Sequence, residues 1–169
     1  EGAYPGVLVR SKFWGPLEEV AFDYARTHFR ELGVIAPRSW YYTRDKKKIP
    51  VRSAGKSANA LGILGMTPEE TSVTGIHERL KAGRWFRKDE LACILPDKMA
   101  ALLGVTEDNL GSARVRLFGE QLTVIGLMDS ERFRQLKDLD NETLSPADFK
   151  LTDDEAIVQM TTQETREKQ

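Results

Sequence analysis

The amino-acid sequence predicts an α+β fold with mixed small sheets and packed helices, arranged as one domain of two lobes. Several short runs rich in apolar and β-branched residues are bounded by turn residues, which is typical of strands. Two or three other segments repeat their apolar residues at three- and four-residue intervals, which is typical of amphipathic helices. These helices and strands interleave along 169 residues, a length that can bury a real core.

The first elements are a short strand over residues 6–10 and the best-marked helix of the chain. Gly15 and Pro16 open this helix and Gly33 closes it, because proline suits a first helical turn and glycine suits an end. Its apolar stripe must lie on a sheet or another helix and consists of Leu17, Val20, Ala21, Tyr24, Ala25, His28, Phe29 and Leu32. For His28 we favour a packed or hydrogen-bonded side chain over a metal ligand or general base, since no second ligand recurs nearby.

An aromatic run follows, at Trp40, Tyr41 and Tyr42. It predicts a strand that forms a hairpin with residues 49–51 through a charged tip at 44–48. The lysines of the tip could contact phosphates, but a short basic run beside two strands is usually a solvated loop. The aromatic side chains could stack on bases or sugars, although the alternating faces of a strand favour core positions for one or two of them.

The run of Gly55, Lys56 and Ser57 invites comparison with a phosphate-binding loop. The full motif needs an earlier glycine five residues before Gly55, where Pro50 stands, with a strand before it and a helix after it. We therefore predict a flexible turn at this position.

A glycine-containing strand over 60–66 comes next. It leads to Thr67, which can cap a short helical turn with Pro68 in its first position. His77 and Glu78 do not form a zinc-protease motif, since no second histidine lies four residues on.

A turn at Gly83 belongs to the most regularly punctuated stretch of the chain. Glycine supports a tight turn there, which aims Trp85 and Phe86 inward. Arg84 could pair with a neighbouring carboxylate such as Asp89. None of these roles is catalytic.

Residues 91–95 predict an apolar strand. Pro96 then opens a helix that runs through Leu103 and ends at Gly104. Cys93, the only cysteine of the sequence, lies within the strand pattern, where a small buried hydrophobe is favoured over a reactive thiol.

A hairpin follows this helix. Gly119 and Glu120 turn a strand over 114–118 back onto a second strand over 121–128. Its alternating and continuous apolar residues are typical of paired strands.

Ser130 predicts the cap of a surface helix over 130–137. Beyond this helix the sequence becomes acidic and polar. We therefore assign residues 1–151 to a core domain and residues 152–169 to a polar C-terminal segment, which is frayed or leads to a membrane helix.

The charges nearly balance, with 25 Lys and Arg against 26 Asp and Glu and a net charge of −1. Such a chain has no overall field with which to hold nucleic acid or an anionic membrane. No stretch approaches the roughly 18 to 20 consecutive apolar residues that span a bilayer, and no signal-peptide pattern precedes Tyr4. Because the sequence begins at Glu1 without an initiator Met, we expect it to be a piece of a longer protein.

One ordered set of motifs runs from residue 63 to residue 128. It begins with Ile-Leu-Gly-Met-Thr-Pro-Glu at 63–69, continues with Leu-Lys-Ala-Gly-Arg-Trp-Phe at 80–86 and Asp89, and then has the strand over 91–95 and Met-Ala-Ala-Leu-Leu-Gly at 99–104. Its last positions are Leu110, Gly111, Val115, Leu117, Gly119, Leu122, Val124, Ile125 and Gly126. In this order the sequence resembles the extracytoplasmic core domain of ABC-transporter permeases of the MacB and FtsX type, a group that includes the LolC and LolE lipoprotein-release permeases.

The resemblance implies a domain of the inner (cytoplasmic) membrane permease that faces the periplasm, between the first and second transmembrane helices. In such permeases a separate cytoplasmic ABC ATPase hydrolyses ATP. The outer domain couples that hydrolysis to export or extraction of a substrate, through conformational change and partner contacts.

The partners that the resemblance implies are the cytoplasmic ATPase, reached through the parent permease, a periplasmic adaptor or carrier protein, and a second copy of the domain in the full transporter. It implies no nucleic-acid partner. It also implies no catalytic, cofactor-binding or metal-binding residue in this domain.

The alternative is a free-standing secreted or periplasmic module that binds a peptide, a lipid or another small ligand. A soluble hydrolase is a third hypothesis, which needs a nucleophile with a base and an orienting group. His28 and His77 show no such local context, so we predict a domain that is not an enzyme.

Overall fold

The structure is a computed structural model that describes residue 6, residues 17–42 and residues 48–144. Its helices are α1 (Glu19–Phe29), α2 (Glu70–Val73), α3 (Asp97–Leu103) and α4 (Ser130–Arg134), with short 3-10 turns at Ile76–Arg79 and Glu107–Asn109. Its strands are β1 (Arg38–Tyr42), β2 (Ile49–Ser53), β3 (Lys56–Ala60), β4 (Gly62–Met66), β5 (Leu80–Gly83), β6 (Ala92–Pro96), β7 (Arg114–Leu117) and β8 (Glu120–Met128). These elements confirm the predicted α+β fold.

Some predictions fall on residues that lie outside the described ranges. They are the strand over 6–10 apart from its first residue, most of the hairpin tip over 44–48, and the polar segment over 152–169. The helix predicted to open at Gly15 and Pro16 and to close at Gly33 is shorter, because α1 begins at Glu19 and ends at Phe29. The division into two lobes and the boundary at residue 151 stay predictions.

β8 is the centre of a six-stranded sheet. Its first half pairs antiparallel with β7 and its second half with β5, while β6 runs parallel along the opposite edge. β2 extends the sheet beyond β7, and β3 lies at the end of the order. β1 and β4 form a second, antiparallel sheet of two strands.

Two apolar clusters form the core. Alternation along β6 and β8 sends Leu95 and Leu127 to one face of the large sheet and Ile94 and Met128 to the other. The first core lies under α3 and comprises Val51, Ala58, Leu95, Ala100, Leu103, Val105, Val115, Val124 and Leu127. The second core comprises Ile76, Met128, Leu136 and Leu144, with Leu64 and Met66 of β4 packed against it.

The predicted hairpin between the aromatic run and residues 49–51 is wrong. β1 pairs with β4, and β2 pairs instead with β3 through a turn at Ala54 and Gly55. These turn residues have φ of 45° and 81°, as a tight two-residue hairpin requires. The predicted turn is therefore confirmed, and Lys56 begins a strand where a phosphate-binding loop would need a helix.

Two predicted boundaries are displaced by one residue. The β7–β8 hairpin turns at Phe118 and Gly119, with φ of 52° and 91°, and not at Gly119 and Glu120. β6 spans Ala92–Pro96 where the sequence predicts 91–95. Local patterns locate both elements correctly, but they do not fix which residue of a run adopts the turn or the first strand position.

The ends of α3 and α4 are set by local hydrogen bonds. α3 ends at Leu103, as predicted, because Gly104 adopts the left-handed conformation at φ 71°. The cap of α4 is Asp129 and not Ser130, since the Asp129 carboxylate accepts from the N–H groups of Glu131 and Arg132, each at 3.0 Å. α4 also ends at Arg134, three residues before the predicted end at 137.

The predicted cap of α2 is wrong. α2 begins at Glu70, after Glu69 at the cap position, and no side chain caps it. Thr67 contributes its backbone instead, because its carbonyl accepts from the Glu70 N–H at 3.2 Å.

α1 is more exposed than its apolar stripe predicts. No side chain of α1 is buried, and Val20 and Tyr24 are 69% and 57% exposed. The expectation that this stripe lies on a sheet or another helix is therefore wrong for the part of the chain that the structure describes. None of the helices in these ranges is long and apolar enough to cross a bilayer.

Gly83 makes the predicted tight turn at the end of β5, with φ of 82°. A Cβ atom at this position would collide with the backbone of Ile125 and Gly126 in β8. The turn sends Trp85 onto the second core, where its Nε1 donates to the Thr67 carbonyl at 3.4 Å. Gly83 therefore allows β5 to approach β8 closely.

We predict that Gly83→Ala lowers the free energy of unfolding by about 3 kcal/mol, because it combines an unfavourable φ with a backbone collision. Gly119→Ala is the matched control, since its φ is 91° but nothing lies within 4 Å of an added Cβ. This control should lose only about 1 kcal/mol. Urea denaturation of both variants measures the difference, and equal losses would contradict the close approach at Gly83.

Candidate functional site

The two histidines lie apart from any metal-binding group in the described ranges. His28 is exposed on α1, where its ring stacks on Tyr24 at 4.0 Å and its Nδ1 donates to the Tyr24 carbonyl at 2.9 Å. The predicted hydrogen bond is present, although the side chain is exposed and not at the core edge. His77 is exposed on the 3-10 turn at Ile76–Arg79. No cluster of three or more His, Cys, Asp or Glu side chains in these ranges could hold a metal ion.

Cys93 packs against the first core as a partly buried side chain. Burial raises the pKa of its thiol from 9.0 to about 12, which disfavours the reactive thiolate at neutral pH. This environment agrees with the predicted role of a small apolar side chain.

The predicted partner of Arg84 is corrected by one residue, from Asp89 to Glu90. Nη1 of Arg84 donates to Oε2 of Glu90 at 2.7 Å, and Nη2 donates to Oε1. The backbone N–H of Arg87 donates to the same carboxylate at 3.0 Å. The bonds from Arg84 and Arg87 lower the pKa of Glu90 from 4.5 to about 2.

An exposed arginine cluster lies on the face of the large sheet opposite the first core. This arginine face consists of Arg52 on β2 and Arg114 and Arg116 on β7, where core and solvent positions alternate. Arg52 lies directly opposite Arg116 in the antiparallel pair. The residues paired with these arginines on the neighbouring strands are Ser57, Gln121 and Thr123. No carboxylate belongs to these paired positions.

The arginines differ in their hydrogen bonding. Nη1 of Arg114 donates to the carbonyls of Gly111, Ser112 and Ala113 at 3.1, 2.8 and 3.2 Å. In the described part of the chain, Arg52 and Arg116 have no ion-pair partner. Like charges directly opposite each other in a sheet are destabilising. Both guanidinium groups can therefore bind an external anionic group such as a carboxylate.

An exposed aromatic pair brings Tyr41 of β1 against Phe118 in the turn between β7 and β8. Phe118 is two residues beyond Arg116 in the chain, and its ring centroid is 5.1 Å from that of Tyr41 in an edge-to-face arrangement. Phe118 is 63% exposed and Tyr41 is 51% exposed. Aromatic and arginine side chains are both enriched in protein interfaces. The combination makes this face the best candidate contact surface among the described residues.

A buried ion cluster joins three distant parts of the chain. Its members are Arg38 on β1, Glu70 on α2 and Asp138 beyond α4, with side chains 5%, 0% and 3% exposed. Burial by itself lowers the pKa of the Arg38 guanidinium, but hydrogen bonds to Glu70 and Asp138 outweigh burial and hold this pKa above its ordinary value. Removing one member of such a buried pair costs about 3–5 kcal/mol, because the other charge stays buried.

Sequence reasoning identified neither the arginine face nor the ion cluster. The alternation of Arg114, Val115 and Arg116 is a local signal for an exposed strand face, but the position of Arg52 opposite Arg116 depends on strand pairing. The ion cluster has no local signal, since Arg38 is 32 residues from Glu70 and 100 residues from Asp138.

No protein-family model matches the sequence, and a comparison with curated proteins gives no match either. Among solved structures, the crystal structure of the periplasmic region of MacB from Actinobacillus actinomycetemcomitans is similar, with a TM-score of 0.48 and 18% sequence identity. The similarity covers 63% of this chain and 49% of that chain, so this chain spans about half the length of that structure.

The Arg84–Glu90 pair predicts a pH-dependent contribution to stability. Because the pKa of Glu90 is lower in the folded chain than its ordinary 4.5, the pair stabilises above that pH and loses its effect as the pH falls towards about 2. Glu90→Gln should therefore lower the free energy of unfolding at pH 7, and its difference from the wild type should shrink between pH 4.5 and 2. Denaturant titrations over this pH range measure the difference in free energy of unfolding between variant and wild type, with Glu107→Gln as an exposed control. A difference that does not change with pH would contradict this assignment.

Proposed function

We propose that this chain is the extracytoplasmic domain of an ABC-transporter permease of the MacB and FtsX type. In this proposal it faces the periplasm at the inner membrane and couples cytoplasmic ATP hydrolysis to export or extraction of a substrate. It acts through conformational change and partner contacts and is not itself an enzyme. The cytoplasmic ATPase is reached through the parent permease, and a periplasmic adaptor or carrier protein and a second copy of the domain are its other partners.

The ordered motif run over residues 63–128 carries the proposal. Each short motif alone is common, whereas their order over this length is much more specific. Three glycines of the run have a structural role. Gly83, Gly104 and Gly119 all adopt positive φ, which other residues adopt only with strain. Motif residues that shape turns and element ends, with no sign of chemistry among them, support a structural role in transmitting motion and contact.

The arginine face and the aromatic pair support the proposed partner contact. Among the described residues neither Arg52 nor Arg116 has a carboxylate partner, so their facing charges are destabilising and an anionic partner group would remove that cost. Pre-organised interfaces usually form with little backbone movement, and the paired strands β2 and β7 hold these arginines on an ordered backbone. We therefore place the contact with the adaptor or carrier protein on this face.

One observation favours the alternative of a free-standing module that binds a small ligand. A cleft of about 620 Å³ lies beside α1, and its lining includes Asp23, Arg26, Arg30 and Glu69. Ligand pockets are usually enclosed and mostly apolar, with only a few polar groups. The charged lining of this cleft fits that description less well, so the permease domain is the better supported function.

A cysteine-labelling experiment on the full-length parent protein tests the proposal. Ser57 is exposed on the arginine face, next to Arg52, so Ser57→Cys reports on that face. In intact spheroplasts the variant should stay with the membrane fraction and react with a membrane-impermeant maleimide. Labelling only after the membrane is permeabilised, or release of the protein from the membrane, would contradict the proposed location.

The same variant tests the partner contact. Labelling of Ser57→Cys should be slower in native membranes than in the isolated 169-residue chain by about tenfold, because the bound partner covers the face. Adding Arg52→Gln and Arg116→Gln should restore the fast rate. Ala101→Cys is the matched control, since Ala101 is exposed on α3, across the large sheet from the arginine face. Equal rates in membranes and in the isolated chain would place the contact elsewhere.

A further inference from the structure

The three bonds of the ion cluster are unequal. Arg38 holds Glu70 with two of them, from Nε to Oε2 at 2.6 Å and from Nη2 to Oε1 at 2.7 Å. It holds Asp138 with one, from Nη1 to Oδ1 at 2.5 Å. The hydroxyl of Thr74 also donates to Oε1 of Glu70 at 2.7 Å. The Arg38–Glu70 pair is therefore the more firmly held half of the cluster.

Asp138 belongs to a closed loop over residues 136–144. Its N–H donates to the Glu142 carbonyl at 2.8 Å, and its own carbonyl accepts from the Asn141 N–H at 3.0 Å. The loop is closed by a bond from the Leu144 N–H to the Leu136 carbonyl at 3.1 Å. Leu136 and Leu144 are both buried in the second core. The loop therefore has its own hydrogen bonds and two apolar anchors.

The charge balance of the cluster favours release of one carboxylate. One guanidinium faces two carboxylates, so the buried group carries a net charge of about −1 when all three are ionised. Each carboxylate then opposes the burial of the other. If Asp138 moves to solvent, Arg38 keeps its two bonds to Glu70, and Asp138 keeps the backbone N–H of Leu139, which donates to its Oδ1 at 2.8 Å.

We propose that the Arg38–Asp138 ion pair is a latch between the small sheet and the loop over 136–144, and that it opens while Arg38 stays bound to Glu70. β1 and this loop are brought together across 100 residues of sequence. Opening the latch removes the loop's ionic contact with the small sheet without breaking the pairing of β1 with β4. The latch does not depend on the proposed transport role, because it follows from the contacts of Arg38 alone.

Native-state hydrogen exchange of the 169-residue chain tests the latch. Asp138→Asn removes the charge but keeps an oxygen for the Leu139 N–H. The variant should speed exchange at the amides of Asp138, Asn141 and Leu144 by about tenfold or more, through local opening. Amides of β8 that exchange only through global unfolding should speed up as well, because the variant destabilises the closed chain relative to every state in which the ion pair is broken.

Two further variants make the test specific. Glu142→Gln removes an equal charge from an exposed position in the same loop, and it should leave exchange unchanged. Glu70→Gln weakens the firmly held half of the cluster, and it should speed exchange in β1 as well as in the loop. No acceleration at the loop amides in Asp138→Asn would overturn the latch, and so would loop amides of this variant that follow the same urea dependence as those of β8.

The wild-type chain supplies a test that needs no variant. In low concentrations of urea, the amides of Asp138, Asn141 and Leu144 should exchange through an opening that depends little on urea, as small local openings do. The buried amides of β8 should exchange only through global unfolding. Loop amides that follow the same urea dependence as β8 would overturn the proposal. This result would not bear on the proposed transport role, which the labelling experiment tests separately.

Discussion

β8 holds the fold together because both of its edges are paired. β7 and β5 share one edge, and β6 occupies the other. Residues 124–128 are all buried, so the strand contributes to the cores on both faces of the sheet. The register of β8 shifts once along β5 and once along β6, and its residues 126–128 pair with both strands. The close approach of Gly83 to Gly126 is what allows β5 to reach this strand.

The second core connects this sheet to the rest of the described chain. Leu64 and Met66 of β4 pack on it from the small sheet, and Leu136 and Leu144 reach it from the loop beyond α4. The buried ion cluster lies where these same segments meet, and it adds directed bonds to the non-directional apolar contact.

Elements with local signals are predictable from this sequence, and long-range pairings are not. α3 is predicted because proline opens it and Gly104 ends it, and the β7–β8 hairpin because Gly119 permits the turn. The errors of one residue, such as Asp129 in place of Ser130 as a cap, occur where adjacent residues have similar propensities. The pairing of β1 with β4, by contrast, depends on contacts that no short window contains.

The arginine face and the ion cluster likewise depend on contacts between distant parts of the chain, which a local sequence pattern does not predict. Arg114 and Arg116 alternate in a way that predicts an exposed strand face, yet only the strand register places Arg52 opposite Arg116. Arg38 offers no local sign that it is buried, because its burial depends on carboxylates 32 and 100 residues away. The apolar stripe of α1 is a local pattern whose expected partner is not found among the described residues.

The central claim is that this chain, identified by the motif run over 63–128, serves a membrane permease as its outer domain. The most direct measurement is the sequence of the gene that encodes this chain. The account predicts one hydrophobic span before this region and three after it, with an ATPase that has a phosphate-binding loop encoded beside the gene. A complete reading frame without those spans would contradict it.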